Sequence, residues 1–549
     1  MTFRIASVFV LAVTFMLAAR APVLVQTREN RAPLTITLGN QGLASLRYAG
    51  TEMLARGELS VQKVLLTRAA GSAATDRSAT PTRTVSDVHR KTLTQTYPWG
   101  IVRCTYTVKP DNRLELTLGV HNDSDSTLSG FAIQLMELQF PAPPKGWLKD
   151  YAYFGDNRGN PTVEYANFGT GALAVCNDDL TRPLLVGFPG RADLGGPRPL
   201  WVCTSNIPGY LSPFLDPYLK RPIPPHGSDV FHISLRFGVA AATEMDLGAD
   251  LYRRMAAAHP TAFVWEDRRP IGTLHLSTSE AYLHSPANPR GWFADPRGVD
   301  VKTAAGIEAF HRRVLKYADD SIVVLKSMNA QGMVTWDVEG QEFPHATSYI
   351  GDPRLLPTLD PEMDSVADAY FRKFRDAGLR TGICVRPQLL KHTPEKTEQT
   401  EVTDPAQIIN TLFDKIVYAY RRWGCTLFYV DSNGDPNVPY DPAIFEALVA
   451  RLRQARIKAL IMPEHRNLRY YACTAPYGEL RNGVTGTPAA VRAAYPHAFI
   501  ANYVPDGPLN EQHDKLTAAV RRGDILMFRA WWNDPTNDAV RRLYHESGR

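Results

Sequence analysis

The stretch Cys425-Thr-Leu-Phe-Tyr-Val-Asp-Ser-Asn-Gly434 decides how the chain is read. A short apolar run, Leu427 to Val430, ends abruptly in a carboxylate and a Ser-Asn-Gly turn. A run of that length bounded by turn residues reads as a strand buried on both faces. Amphipathic stretches near 405–423 and 442–456 flank it. Strand and helix in alternation imply a parallel sheet, because parallel neighbours need a crossover connection.

The alternation continues in both directions. Strands are predicted at 271–279, 332–340, 379–388, 425–434, 457–465, 498–504 and 524–532. Helices are predicted near 304–327, 361–377, 487–495 and 510–522, besides the two already named. An eighth strand is placed by arithmetic alone, sixth in order, within the unmarked stretch 470–486. Eight strands close a (β/α)8 barrel of the TIM type. An open doubly wound sheet is the alternative.

Upstream the character is different. Short alternating runs such as Leu34–Leu38, Leu43–Tyr48, Gly100–Val108, Leu114–Leu118, Phe131–Leu135 and Val230–Phe237 are separated by turns such as Gly39-Asn40 and Asp111-Asn112. Many short strands without helices predict a β-sandwich. Residues 71–85 read as a polar loop, and 186–228, rich in Gly and Pro, as irregular chain. The expected organisation is a signal peptide over 1–25, a sandwich over 30–240, a linker helix and hinge over 241–260 ended by Pro260, and a barrel over 261–545.

Arg4, the apolar run Ile5–Ala19 and the small residues after it predict export to the periplasm or the medium. That run is short for a membrane span, which needs about 20 residues. Pro22 follows the Ala19-Arg20-Ala21 site closely, so the cleavage point stays open. A net charge of +5 over 549 residues, with no long basic run, argues against nucleic acid or an anionic membrane as partner. None of the six cysteines forms a CxxC pair, which argues against a zinc ribbon or redox motif. Cys384 and Cys425 sit in apolar runs and read as buried thiols. There is no P-loop, dinucleotide fingerprint, HExxH or GxSxG, so no cofactor is expected. Structural calcium is compatible with the sequence but nothing in it indicates calcium.

Barrel enzymes carry their chemistry at the C-terminal ends of the strands. Here those ends hold Asp337 and Glu339, Arg386 and Gln388, Asp431, Glu464 and His465, Asn502, and finally Arg529, Trp531 and Asn533. Side chains two apart share a face, which pairs Asp337 with Glu339, Tyr429 with Asp431, and Met462 with Glu464. Glycoside cleavage needs two carboxyl groups across the scissile bond, and Asp431 and Glu464 end adjacent strands. Asp337, Glu339, Arg386, His465, Asn502, Arg529 and Trp531 are expected to contact a carbohydrate substrate. Arg386 is read equally well as a structural partner of Asp337, and Trp336 as core. Two long segments, 280–303 with His284 and Trp292, and 340–360 with Glu342, His345, Tyr349, Asp352 and Arg354, are expected to be lid or specificity loops.

A β-sandwich followed by a barrel whose fourth strand ends Phe428-Tyr-Val-Asp431, with an acid ending the next strand about 33 residues on, resembles the retaining α-glycosidases of glycoside hydrolase families 31, 36, 97 and, most of all, 101, the α-N-acetylgalactosaminidases. The resemblance implies Asp431 as nucleophile and Glu464 as acid/base. The patterns of families 31 and 36 place the acid/base later, which would fall on Glu479 or Asp534. Two other readings compete. One is a metal-dependent amidohydrolase-like barrel, raised by His275 and His465 but lacking a second first-strand His and a Lys near Asp431. The other is a non-catalytic carbohydrate-binding protein on the same scaffold.

Overall fold

The computed structural model describes residues 34–68, 75–76, 80–142, 163–180, 184–188, 196–204, 221–261, 263–278, 284–341, 350–392, 397–435, 438–531 and 534–549. The N-terminal stretch with the export signature lies outside them, as do Glu342, His345, Tyr349, Trp532 and Asn533.

The first part is antiparallel β-structure. One sheet runs in the order 163–167, 172–177, 228–238, 113–122, 100–109, 92–97 and 83–87. A second runs 185–187, 198–203, 127–138, 60–67 and 75–76, with 54–56 also pairing with 127–138. Burial alternates residue by residue along 113–122. Leu114, Leu116 and Leu118 of that strand pair with Leu235, Ile233 and Phe231. One apolar cluster joins the two sheets, and Phe231 meets Phe131 of the other sheet edge-on, 5.4 Å between ring centroids. This is the layering of a sandwich.

Two expectations are corrected here. The stretch taken as loop over 71–85 contributes to an edge strand, Arg83–Asp87, paired with Thr92–Tyr97. The stretch taken as irregular over 186–228 contains the strand Arg198–Cys203, which pairs with 127–138. Both lie at or near sheet edges, where one covered face leaves little apolar periodicity to read.

Helix α1, Glu244–Ala258, opens on a capping box between Thr243 and Asp246. The sequence reading made it a hinge, but it is a wedge. Leu251, Tyr252 and Met255 are fully buried and pack in one cluster with Val163 and Ala174 of the sandwich and with Leu468, Val491 and Ile500 of the second half. A helix with apolar partners on both sides cannot swing without exposing them.

The second half holds eight parallel strands: β1 Ile271–Leu274, β2 Gly332–Thr335, β3 Thr381–Val385, β4 Cys425–Val430, β5 Leu460–Pro463, β6 Tyr477–Glu479, β7 Ala501–Tyr503 and β8 Ile525–Arg529. Their order is 5-4-3-2-1-8-7-6. The first and last strands pair, Ile271 with Met527 and Thr273 with Arg529, so the sheet turns back on itself rather than staying open. Between β5 and β6 a single bond, Ala475 N–H to Ile461 O at 3.0 Å, spans the seam. The unmarked sixth strand is Tyr477–Glu479. The turn Leu468–Ala472 replaces the helix expected before it, which is how two units fit a tight interval.

Helices α2 Ala304–Ser327, α3 Pro361–Asp376, α4 Pro405–Trp423, α5 Pro442–Gln454, α6 Ala489–Ala494, α7 His513–Arg521 and α8 Thr536–Ser547 complete this half. Proline opens α3, α4 and α5, and Asp404 caps α4 by accepting the Gln407 N–H at 2.7 Å. Two apolar systems result. Outward residues such as Ile383, Phe428 and Leu526 join the helices, while Val334, Cys384, Leu427, Met462, Ala501 and Met527 fill the barrel.

The wedge generates a prediction. Leu251→Ala removes about 2–5 kcal/mol of stability, and a urea titration read separately in the sandwich and the barrel shows both transitions moving to lower urea. A shift confined to one unit contradicts the wedge.

Candidate functional site

Inward-facing parity places the site. On β4, Leu427 and Tyr429 face in, and the next inward position is Asp431. On β5 the same count runs Leu460, Met462, Glu464. The ladders extend one residue past the strands, with Asp431 N–H bonding Val385 O and Glu464 N–H bonding Val430 O, each at 3.0 Å. The two carboxyl groups therefore emerge side by side at the barrel mouth and share a hydrogen bond.

Asp431 is 8% exposed. Burial, opposed by Arg386 and reinforced by the charge and hydrogen bond of Glu464, pushes its carboxyl up to about 7. Two neighbouring carboxyls do not both ionise cheaply, so Asp431 keeps its proton up to about neutral pH. Arg386 Nε stands 3.2 Å from Asp431 Oδ2. Its other nitrogens donate to Gln399 Oε1 at 3.0 Å and Ser432 Oγ at 2.8 Å. Ser432 adopts φ 55°, a left-handed conformation uncommon without glycine, and donates its N–H to Glu464 Oε2 at 2.7 Å. Asn433 ties the β4 and β5 loops together by accepting the His465 N–H at 2.9 Å, and His465 Nε2 lies 3.6 Å from Glu464 Oε2.

Arg386 is held from behind. Lys415 of α4, fully buried, donates to Arg386 O at 2.7 Å and Gln388 O at 2.8 Å, and lies 3.5 Å from Asp352. Arg386 N–H bonds Gly351 O at 3.0 Å. Gly351 has φ 61°, and a Cβ there would stand 2.6 Å from Arg386 Cγ, so only glycine fits. Gln388 donates to Glu401 and to Ser432 O, each at 3.1 Å.

Aromatic groups fill the barrel beneath the carboxyl pair. Trp336 stacks near Tyr429 at 4.9 Å and His275 at 5.6 Å, and His275 meets Trp531 edge-on at 4.8 Å. Tyr477 and Tyr503 continue the ring of side chains. Burial and the charge of Arg529 pull the His275 imidazole down, against Asp337 and Asp506. Arg529 bonds Tyr503 Oη at 3.2 Å, Asp534 at 3.1 Å and Asp506.

Several predicted contacts lie elsewhere. Trp336 faces into the barrel, so the parity assumed for β2 was reversed. Asp337 points the other way and is saturated by Leu276 N–H (2.8 Å), Ser277 N–H (2.8 Å) and Ser277 Oγ–H (2.6 Å). It joins the ends of β1 and β2 and does not pair with Arg386. Glu339 is fully buried with neither carboxyl oxygen bonded, and burial pushes it up to about 8. Asn502 lies between the inward Ala501 and Tyr503, faces out, and bonds Val484 O at 2.9 Å. Glu479 receives Tyr477, Arg481 and Asn482, and Asp534 accepts the Thr536 N–H at the start of α8 while holding Arg529, so both alternative acids are committed. Asp534 is moreover lowered, since Thr536 and Arg529 outweigh its burial. Trp292 is core, bonded to Glu362 at 2.8 Å, and His284 clasps its own loop through Thr278 O and Pro289 O. Asp352 and Arg354 pair with each other at 2.8 Å. All six cysteines are free and buried. Ser432, Asn433, Lys415 and Asp506 were not anticipated; the Asp-Ser-Asn-Gly turn was the available signal for the first two.

The whole is an antiparallel sandwich joined to a (β/α)8 barrel with a carboxyl pair at its mouth. No known family profile and no curated protein matches the chain. Solved structures of similar layout include an α-N-acetylgalactosaminidase from Bifidobacterium bifidum in complex with GalNAc, at 9% identity, 94% of this chain, 93% of that one and TM-score 0.47. An α-galactosidase from Lactobacillus brevis is 12% identical over 94% of this chain and 73% of that one, TM-score 0.37. A cycloalternan-degrading enzyme from Trueperella pyogenes is 9% identical over 93% and 82%, TM-score 0.35.

The coupling of the two carboxyls is testable. In Glu464→Gln both effects of Glu464 on Asp431 vanish, so Asp431 ionises at lower pH while burial remains. Infrared difference titration of the carboxyl band, assigned by its loss in Asp431→Asn, reads the midpoint. An unmoved midpoint shows the two groups to be uncoupled.

Proposed function

We propose that this chain is an exported glycoside hydrolase acting on α-linked sugars, with Asp431 as nucleophile and Glu464 as acid/base. The observation that carries the reading is the pair of carboxyls side by side on adjacent strand ends, with Asp431 raised to about 7, above a barrel filled by aromatic rings. Trp531, partly exposed at the same end, offers a ring for an apolar sugar face, and the pair supplies one acid and one base.

The roles follow from environment. Asp431 is the more buried, and Arg386 at 3.2 Å favours its anionic form against the burial that raises it. Glu464 has a side chain 31% exposed, suited to exchange a proton with a leaving oxygen and then with water. Asp431 attacks the anomeric carbon as Glu464 protonates the departing oxygen. Glu464 then takes a proton from the water that releases the sugar. Retention needs the carboxyls roughly 5–5.5 Å apart. The sugar must therefore enter between them, and Glu464, the less buried of the two, is the group that turns, giving up the Ser432 N–H it accepts. Export rests on the Arg4–Ala21 pattern, and N-terminal sequencing of the mature protein tests it.

The assay is hydrolysis of aryl α-glycosides, beginning with the N-acetylgalactosaminide because of the Phe428–Asp431 resemblance. Asp431→Gly lowers turnover by roughly 10³-fold or more, and azide restores release of the aryl group by attacking the vacated face. Glu464→Gln costs roughly 10²–10⁴-fold on poor leaving groups and far less on good ones. Unchanged hydrolysis in both variants refutes the assignment. Saturable sugar binding with no cleavage by the wild type establishes the binding-protein reading instead.

A further inference from the structure

We propose that the floor of the barrel, at the end opposite the carboxyl pair, holds a small oxyanion of the phosphate type between Arg268 and Arg549. A cavity of about 450 Å³ opens there, lined by Arg268, Pro270, Asn329, Tyr544, His545 and Arg549 among others. Arg268 precedes β1, and its guanidinium lies on the Phe499 ring at 3.4 Å. The stack satisfies one face of that group but none of its N–H donors. Its Nη1 is buried without a partner, and among the described residues the guanidinium meets no carboxylate.

The second guanidinium stands close by. A Cβ placed on Gly523 would lie 3.9 Å from Arg268 Nε and 3.7 Å from Arg549 Nη2, so both groups border the same turn before β8. Arg549 reaches only a backbone carbonyl, Arg521 O, at 3.3 and 3.4 Å. Burial, with the neighbouring charges of Arg549 and Arg492 against that of Asp524, pulls Arg268 down to about 10.

The nearby acids are already committed. Asp524 accepts from Thr487 N–H, Thr487 Oγ–H, Arg492 and Ile500 N–H. Asp267 pairs with Arg269 at 2.8 Å and Arg380 at 2.9 Å, and Asp538 pairs with Arg541 at 2.7 Å. Glu266 is exposed at the rim and pairs with neither arginine. Two adjacent guanidiniums, one with a donor left without a partner and the other bonded only to a backbone carbonyl, neither in an ion pair among the described residues, beside a cavity large enough for a tetrahedral ion, match an oxyanion that accepts from both. Such an ion would tie the entry to β1, the entry to β8 and the end of α8 together.

Isothermal titration of the full chain with sodium phosphate, against sodium chloride at equal ionic strength, tests this. One saturable site and a raised melting temperature are expected with phosphate only. Arg268→Met abolishes the binding and Arg549→Gln weakens it at least tenfold. Glycoside hydrolysis is unaffected in Arg549→Gln, so failure here is separate from failure of the functional reading. Should Arg268→Met not fold, Arg549→Gln decides alone. Phosphate behaving as chloride does, or binding unchanged in the folded variants, overturns the proposal.

Discussion

Thr273 of β1 lies opposite Arg529 of β8 in the ladder that brings the last strand back to the first. Closing eight parallel strands in this way divides every strand into residues that face the helices and residues that face the barrel. The division is strict, because side chains alternate, and it leaves one inward position at each strand end. Arg386, Asp431, Glu464, Glu479 and Arg529 occupy such positions. The outward neighbours, among them Asp337 and Asn502, are drawn instead into the joints between strands and helices. Composition of the strand ends is thus secondary to parity.

The same closure sets the electrostatics of the mouth. Arg529 is shared between Asp506 and Asp534, and Arg481 is held by Glu479. Arg386 faces Asp431, and His465 lies near Glu464; Arg386 is fixed by Lys415 and by the close approach of Gly351. A buried ammonium bonded to two carbonyls is costly to desolvate, so its place behind Arg386 marks where the fold concentrates rigidity. Glu464, by contrast, is partly exposed. Asp431 is faced by a guanidinium, Glu464 by a backbone N–H and the nearby His465, so the two carboxyls sit in different environments.

The wedge helix gives the N-terminal half a part in this. By packing against Leu468, Val491 and Ile500 it covers the outside of the barrel near the seam between β5 and β6, which only one backbone bond spans. The sandwich is therefore a support for the least regular part of the barrel as well as a unit with its own core.

Much was determined by the sequence alone. Apolar runs of five or six residues between amphipathic stretches specified parallel strands and crossover helices, since both periods follow from backbone geometry. The run Phe428–Asp431 and the acid ending the next strand located the carboxyl pair, because adjacent strands of a parallel sheet end together. Other features were decided only in three dimensions. The parity of β2 depended on where its register begins, which a one-residue shift reverses, and so Asp337 exchanged places with Trp336. The sixth strand, three residues long, carries too little pattern to see and exists because its neighbours leave one gap to fill. The direct contact between Asp431 and Glu464, and the hold of Lys415 on Arg386, join residues from separate elements; their distances are set by how helices and strands pack, which no local pattern encodes.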